Sequence, residues 1–131
     1  MIGIDTNILV RAIVADDAGQ TQAARAALNT LTAAQPGHIT HVVLAELWWV
    51  LTHAYNYSPA HALVAVETLR RTEHIVIQDV ADVDAALDLV RQHGADFADA
   101  LIMAVNRRAG CEGVLTFDRR AVKRAGMTHL T

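Results

Sequence analysis

The sequence predicts an α/β fold built on a parallel β-sheet. Short apolar runs of strand length alternate along the chain with longer segments that begin at helix-capping residues. Such alternation is typical of βαβ units, whose right-handed crossovers make neighbouring strands parallel. Hydrophobic residues make up 53% of the 131 residues and only two residues are proline, so the composition argues against disorder.

The first half of the chain carries clear helix and turn signals. Thr6 and Asn7 are helix-capping types that directly follow an apolar run, and Ser58-Pro59 matches an N-cap followed by proline at the first helical position. Turn-forming residues at 16–19 and 35–37 separate the remaining segments. These features predict strands over residues 2–5 and 38–41 and helices over residues 8–14, 21–31, 41–55 and 59–71.

The second half begins with the β-branched run 75–77, which predicts a strand. Four aspartates on or before the next helix are expected to form a cap and a solvated face; they are Asp79, Asp82, Asp84 and Asp88, with Asp79 or Asp82 as the cap. Gly94 is expected to end that helix as a C-cap. The helix that begins at Asp79 or Asp82 is predicted to end at residue 93. Two further helices are predicted over residues 97–108 and 118–124, and two further strands over residues 113–117 and 128–130.

Size and composition narrow the class of protein. The chain shows no linker or repeat, so we predict a single domain over residues 1–131. Its net charge of −3 means that a nucleic-acid substrate would need a local basic patch or a metal ion. The lone Cys111, predicted to be a core residue, excludes an internal disulfide and fits a reducing compartment. Because we find neither a membrane-spanning stretch nor a secretion signal, we predict a cytoplasmic protein with no membrane partner.

Glu46 is the only polar side chain in the run from residue 42 to residue 51. An ionised glutamate is rarely buried without a partner, because leaving it unpaired away from water costs many kcal/mol. We therefore expect Glu46 to be buried and stabilised by a cation. The alternative is that Glu46 lies on an exposed polar stripe of its helix.

Three aspartates accompany Glu46 beside other apolar elements. Asp5 and Asp118 each follow a predicted strand, and ligands of parallel sheets bind beyond the carboxyl ends of the strands. Asp99 lies in the first turn of a predicted helix, where side chains lean toward the N-terminus. Each could instead be a simple helix cap or first-turn acid. The apolar residues expected to be buried on the Asp99 helix are Leu101, Ile102 and Val105.

Four carboxylates near strand ends favour a divalent-cation site. Acids that lie close together repel one another and raise one another's pKa values. Oxygen-only ligation suits hard cations, namely Mg²⁺ or Mn²⁺. Such an ion can lower the pKa of a bound water and stabilise charge on a phosphoryl group. The chain carries neither a glycine-rich phosphate loop nor a recognisable serine or lysine nucleophile motif.

Four motifs in this order resemble those of the PIN-domain ribonucleases, and most closely the toxin subunits of VapBC toxin–antitoxin modules. The motifs are D-T-N at 5–7, Glu46 in its apolar helix, D-F-A-D-A-L-I at 96–102 and T-F-D at 116–118. The resemblance covers essentially the whole chain. It implies a three-layer α/β/α sandwich on a parallel sheet of four or five strands, cleavage of RNA with Mg²⁺ or Mn²⁺, and a cognate antitoxin as protein partner.

The resemblance also implies which residues form the site. The acids that would hold the metal and carry catalysis are Asp5, Glu46, Asp99 and Asp118. The polar residues that would support them are Thr6, Asn7, Asp96 and Thr116. Many relatives carry another acid two residues before or after the Asp118 position, where this chain has Thr116 and Arg120, so the number of metal ions stays open.

Basic and aromatic residues supply further candidates. Trp48 and Trp49 cannot both face inward, since they lie about 100° apart on a helix. The outward one predicts a protein interface and hence a homodimer. A cluster of basic side chains would serve either as phosphate contacts or as a solvated face; its members are Arg11, Arg107, Arg119, Arg120 and Lys123.

Two other functions compete with a nuclease. An aspartyl-phosphate phosphohydrolase would use Asp5 as nucleophile, but such an enzyme wants a second aspartate where this chain has Asn7. A non-catalytic interaction module would use the acids only as helix caps, and a test of divalent-metal binding would separate it from both enzymes. His38 and His41 have an H-x-x-H spacing, but we expect them to be surface or core-edge residues.

Overall fold

The computed structural model describes every residue from 1 to 131, and its residues form two compact units, Met1–Gln78 and Asp79–Thr131. Each unit has its own parallel sheet. None of the helices combines the length and apolar character needed to cross a bilayer.

The first unit contains three strands and four helices. Its sheet has the order β1-β2-β3 with both pairings parallel, and Gly37 of the central strand pairs with Ile2 on one side and Ile75 on the other. Two helices connect each pair of successive strands. The elements are β1 (Ile2–Gly3), α1 (Thr6–Val14), α2 (Ala18–Asn29), β2 (Gly37–Ile39), α3 (His41–His53), α4 (Pro59–Arg71) and β3 (Ile75–Ile77).

The core of the first unit lies around the central strand. Ile39 of β2 is fully buried, and so are Leu9 of α1 and Val66 of α4. Packing at Gly37 is close: a Cβ there would lie 2.9 Å from Leu31 Cδ1, so a larger residue would need the Leu31 side chain to shift. The residues of α3 that face this core are Leu44, Leu47, Trp48 and Leu51.

The second unit contains three helices and a two-stranded parallel sheet. Helices α5 and α6 pack against each other, and Phe97 is among their fully buried side chains. Gly94 ends α5 with a φ of 66°, as the sequence predicts. The elements are α5 (Val80–His93), α6 (Phe97–Arg108), β4 (Leu115–Thr116), α7 (Arg119–Ala125) and β5 (Thr128–His129).

All seven predicted helices and all five predicted strands are present, with shifted ends. The strands fall into sheets of three and two strands, and all pairings are parallel. The predicted cap of α1 was wrong: Asp5, not Thr6 or Asn7, is the N-cap, because α1 begins two residues earlier than expected. Ser58 caps α4 with Pro59 at the first helical position, as predicted.

Three burial predictions for α6 and its end are wrong. Ile102 and Val105 are exposed, because the buried stripe of α6 follows the i, i+3, i+4, i+7 spacing of residues 97, 100, 101 and 104. Cys111 is also exposed, since it lies in the turn after α6, where its backbone N–H donates to the Asn106 carbonyl. Leu101 is buried as predicted.

Asp82 is not on a solvated face. Its side chain is buried and accepts a 2.7 Å hydrogen bond from Arg108 Nε, while half of the Arg108 side chain reaches solvent. The buried residues of α5 include 82, 86 and 90, so helical spacing alone places Asp82 on the apolar side. A buried carboxylate on that side requires a cation, and Arg108 provides it.

We expect Asp82→Asn to lower the melting temperature by about 5 °C, because the buried ion pair with Arg108 is lost. Asp88→Asn is the matched control: Asp88 lies on the same helix and pairs with Arg91 at 2.6 Å, but both side chains are exposed. The control should shift the melting temperature by only about 1 °C. Equal shifts in thermal unfolding by circular dichroism would contradict the importance of burial.

Candidate functional site

A cavity of about 270 Å³ in the first unit brings Asp5 and Glu46 together. Asp5 lies just after β1 and caps α1, and its Oδ1 accepts a 2.8 Å hydrogen bond from the backbone N–H of Thr6. The cap uses one carboxylate oxygen, so the other remains available to a ligand. The cavity is lined by Asp5, Thr6, Asn7, Val10, Arg11, Glu46, Val50 and Tyr55.

Glu46 is exposed, so the prediction that it is buried was wrong. The run around it is apolar on both sides of α3: Leu47 and Trp48 face the core, while Val42 and Trp49 are exposed. Glu46 therefore lies on the outer face without needing a buried partner, and its carboxylate accepts no hydrogen bond in this structure. It reaches the cavity from α3 while Asp5 reaches it from the start of α1.

Thr6 places an unpartnered hydroxyl beside Asp5. The residue is buried, and its Oγ1 has no hydrogen-bond partner. A buried hydroxyl without a partner costs about 1–3 kcal/mol, so its persistence is typical of a functional site. The lining at this point thus offers oxygen atoms from Asp5, Thr6 and Glu46, which is the donor chemistry that Mg²⁺ or Mn²⁺ takes.

The second unit holds the other predicted acids at two helix starts. Asp96 caps α6 by accepting a hydrogen bond from the backbone N–H of Asp99 at 3.1 Å. Asp118 caps α7 by accepting from the N–H groups of Arg120 and Ala121 at 2.8 and 3.2 Å. The Thr116 hydroxyl accepts from the Asp118 N–H at 3.0 Å and so fixes the start of the cap. Asp96 is therefore the N-cap of α6.

These caps leave Asp99 among like charges. Partial burial raises the pKa of Asp99, and repulsion from Asp96 and Asp118 raises it further. No arginine, lysine or histidine forms an ion pair with any of the three carboxylates. Three carboxylates that repel one another and lack a protein cation have the charge and the oxygen donors that suit a divalent ion.

The predicted site residues thus fall into two groups, one in each unit. Asp5, Glu46, Thr6, Asn7 and Arg11 share the cavity of the first unit. In the second unit, Asp96 and Asp118 act electrostatically on Asp99, and Thr116 binds the backbone of Asp118. The remaining predicted basic residues are exposed at the end of α6 and on α7; they are Arg107, Arg119, Arg120 and Lys123.

Sequence reasoning missed Asp16 and Tyr55. Both hydrogen-bond to Arg11, and Tyr55 lines the cavity. Desolvation raises the pKa of Asp16, but hydrogen bonds from Arg11 and Tyr55 outweigh it and leave this pKa below its usual value. The pKa of Arg11 is raised, chiefly by its hydrogen bond to Asp16. Nothing in the sequence marks this group, because Tyr55 lies 44 positions after Arg11.

Comparison with known protein families finds a match to almost the whole chain. A family model described as PIN domain matches residues 2–127. Among solved structures, the chain is similar to the crystal structure of Mycobacterium tuberculosis VapC20, a sarcin-ricin loop cleaving toxin, with 20% sequence identity, a TM-score of 0.47, and coverage of 89% of this chain and 88% of that chain. No curated protein sequence matches the chain.

Proposed function

We propose, because the chain belongs to the PIN-domain family, that it is an endoribonuclease that requires Mg²⁺ or Mn²⁺ and acts as the toxin of a type II toxin–antitoxin pair. The observation that carries this proposal is that acids at the family's motif positions are free of protein cations. Asp5 and Glu46 line one cavity beside the unpartnered Thr6 hydroxyl. Partial burial, together with repulsion from its acidic neighbours, raises the pKa of Asp99.

The proposed catalytic and metal-holding residues are Asp5, Glu46, Asp99 and Asp118. When bound, the divalent ion would activate a water and offset negative charge on the phosphoryl group. The supporting residues orient these acids: Asp96 fixes the first turn that carries Asp99, Thr116 fixes the cap formed by Asp118, and Thr6 and Asn7 border Asp5.

The charge of the acids couples substrate binding to cation binding. Without a cation, the carboxylates would repel the phosphodiester that they are proposed to cleave. Positive side chains offset part of this repulsion, and phosphate contacts from such residues position a nucleic acid without reading its sequence. The residues proposed to contact RNA are Arg11, Arg107, Arg119, Arg120 and Lys123.

The proposed protein partners are a cognate antitoxin and a second copy of the chain, and the proposed location is the cytoplasm. The exposed face of α3 supports a protein interface, because Trp49 is 59% exposed and Val42 is 76% exposed. Large aromatic side chains are enriched at such interfaces. Trp48 is buried and Trp49 is exposed, as their 100° separation predicts.

The function is tested by incubating the purified chain with single-stranded and structured RNA. We expect cleavage in Mg²⁺ or Mn²⁺, loss of cleavage in EDTA, and recovery when excess Mg²⁺ is added. Undiminished cleavage in EDTA would contradict the metal dependence. Failure to cleave any RNA, together with hydrolysis of an aryl phosphate monoester, would instead support the phosphohydrolase alternative with Asp5 as nucleophile.

A further inference from the structure

Arg11, Asp16 and Tyr55 form a closed hydrogen-bonded group at the edge of the acidic cavity. Arg11 Nη1 donates to Asp16 Oδ1 at 2.8 Å and to the Tyr55 hydroxyl at 3.4 Å. The Tyr55 hydroxyl in turn donates to Asp16 Oδ2 at 3.1 Å. Each carboxylate oxygen of Asp16 therefore has its own partner, and the guanidinium is held by one of its three nitrogens.

The group prevents Arg11 from forming an ion pair with the acids of the cavity that it lines. An arginine beside two carboxylates would normally pair with one of them and neutralise it. Here Arg11 forms an ion pair with Asp16, which does not line the cavity, and none with Asp5 or Glu46. The carboxylates are thus left free, while Nε and Nη2 of Arg11 have no hydrogen-bond partner in the structure.

We infer that Asp16 and Tyr55 are positioning residues that hold Arg11 at the cavity so that its free N–H groups bind a phosphate oxygen of the substrate. This inference rests on the proposed ribonuclease function and adds the residues that orient its phosphate contact. The planar guanidinium presents several donors in a fixed fork, so anchoring one nitrogen also orients the other two.

A purely structural reading of the same group is that it joins the end of α1 to the chain after α3. That reading predicts loss of thermal stability without a specific change in substrate binding. Positioning predicts that Tyr55 and Asp16 matter to RNA only while Arg11 is present. A double-mutant cycle separates the two readings, because residues that act through one another are non-additive.

The cycle uses Tyr55→Phe, which removes only the hydroxyl, in the wild type and in an Arg11→Met background. We expect Arg11→Met to raise the KM for RNA about tenfold with kcat nearly unchanged, as loss of uniform substrate binding does. Tyr55→Phe should raise KM about threefold in the wild type and leave it unchanged in the Arg11→Met background. Asp16→Asn should behave as Tyr55→Phe does. Tyr57→Phe and Arg71→Met are matched controls outside this cavity and should leave KM unchanged.

A second measurement tests whether the positive charge of Arg11 contacts a phosphate. For single-stranded RNA bound in EDTA, the slope of log affinity against log salt concentration should fall in magnitude by about 0.7 in Arg11→Met, because one phosphate contact is lost. Arg11→Lys should restore the slope while recovering only part of the KM, since lysine supplies the charge without the fork.

The outcomes keep this inference separate from the proposed function. If the wild type cleaves RNA but Tyr55→Phe changes only the melting temperature, or changes KM equally in both backgrounds, the positioning role is wrong and the ribonuclease function stands. If the wild type cleaves no RNA in Mg²⁺ or Mn²⁺, the ribonuclease function and this inference fall together.

Discussion

Replacing Asp5 by asparagine should reduce RNA cleavage at least about 100-fold, because loss of about 3 kcal/mol of transition-state stabilisation has this effect. The fold should survive the change. Asparagine caps a helix about as well as aspartate does, so the N-cap of α1 is retained while the charge is removed. The lost activity would then report the chemistry of the carboxylate.

Asp17→Asn provides the matched control. Asp17 caps α2 by accepting a hydrogen bond from the Gln20 N–H at 3.0 Å, as Asp5 caps α1, but it does not line the acidic cavity. Single-turnover cleavage and thermal melting should be measured for both variants. We expect both to melt close to the wild type and only Asp5→Asn to lose cleavage. If the two variants cleave RNA equally well, Asp5 is a helix cap and no more.

The predictions that held were those fixed by local chemistry. The Ser58-Pro59 pair, the β-branched run 75–77 and Gly94 each determine a boundary through backbone geometry or a neighbouring hydrogen bond. The PIN-domain resemblance and the α/β/α fold class that it implied are confirmed by the family match. Three of the motif aspartates are N-caps of helices, namely Asp5, Asp96 and Asp118, so local backbone geometry fixes their places.

The predictions that failed depended on which face of a helix meets the rest of the molecule. Glu46 was expected to be buried because its neighbours are apolar, but α3 has more apolar residues than one buried face can use, and Trp49 lies outside. Asp82 was expected to be solvated because it is charged, but its position on the α5 stripe and the approach of Arg108 bury it. Helical spacing should therefore outweigh residue type when a single charge lies on an apolar stripe.

The group formed by Arg11, Asp16 and Tyr55 could not be found from the sequence for a different reason. The two hydrogen bonds of Tyr55 join positions 39 and 44 apart, and the order of the elements does not determine which side chains meet across so many positions. The sequence identified Arg11 as a possible phosphate contact, but only the structure shows what holds it.

In EDTA at neutral pH, Asp99→Asn should melt at a higher temperature than the wild type. Its free energy of unfolding should be larger by less than about 1 kcal/mol, because the side chain is partly exposed to solvent. Burial and repulsion from Asp96 and Asp118 raise the pKa of Asp99 in the folded protein. A raised folded-state pKa means that the folded state binds the proton more tightly than the unfolded chain. The associated stability is present below the unfolded pKa, about 4, and is lost as the pH rises through the folded-state value. The advantage of the variant should therefore be largest at neutral pH and vanish below about pH 4.

The same variant should lose RNA cleavage and most of its response to metal. An ion that binds only the folded protein stabilises it by RT ln(1 + [L]/Kd), so the stabilisation grows with the logarithm of the affinity. Mg²⁺ should therefore stabilise the wild type more than Asp99→Asn. Asp88→Asn, an exposed aspartate of the same unit, should keep both cleavage and the metal-induced shift. Thermal melting across pH, with EDTA and with Mg²⁺, tests all of these expectations. If Asp99→Asn melts lower than the wild type in EDTA and Mg²⁺ shifts both proteins equally, Asp99 stabilises α6 through its favourable interaction with the helix dipole and does not hold a cation.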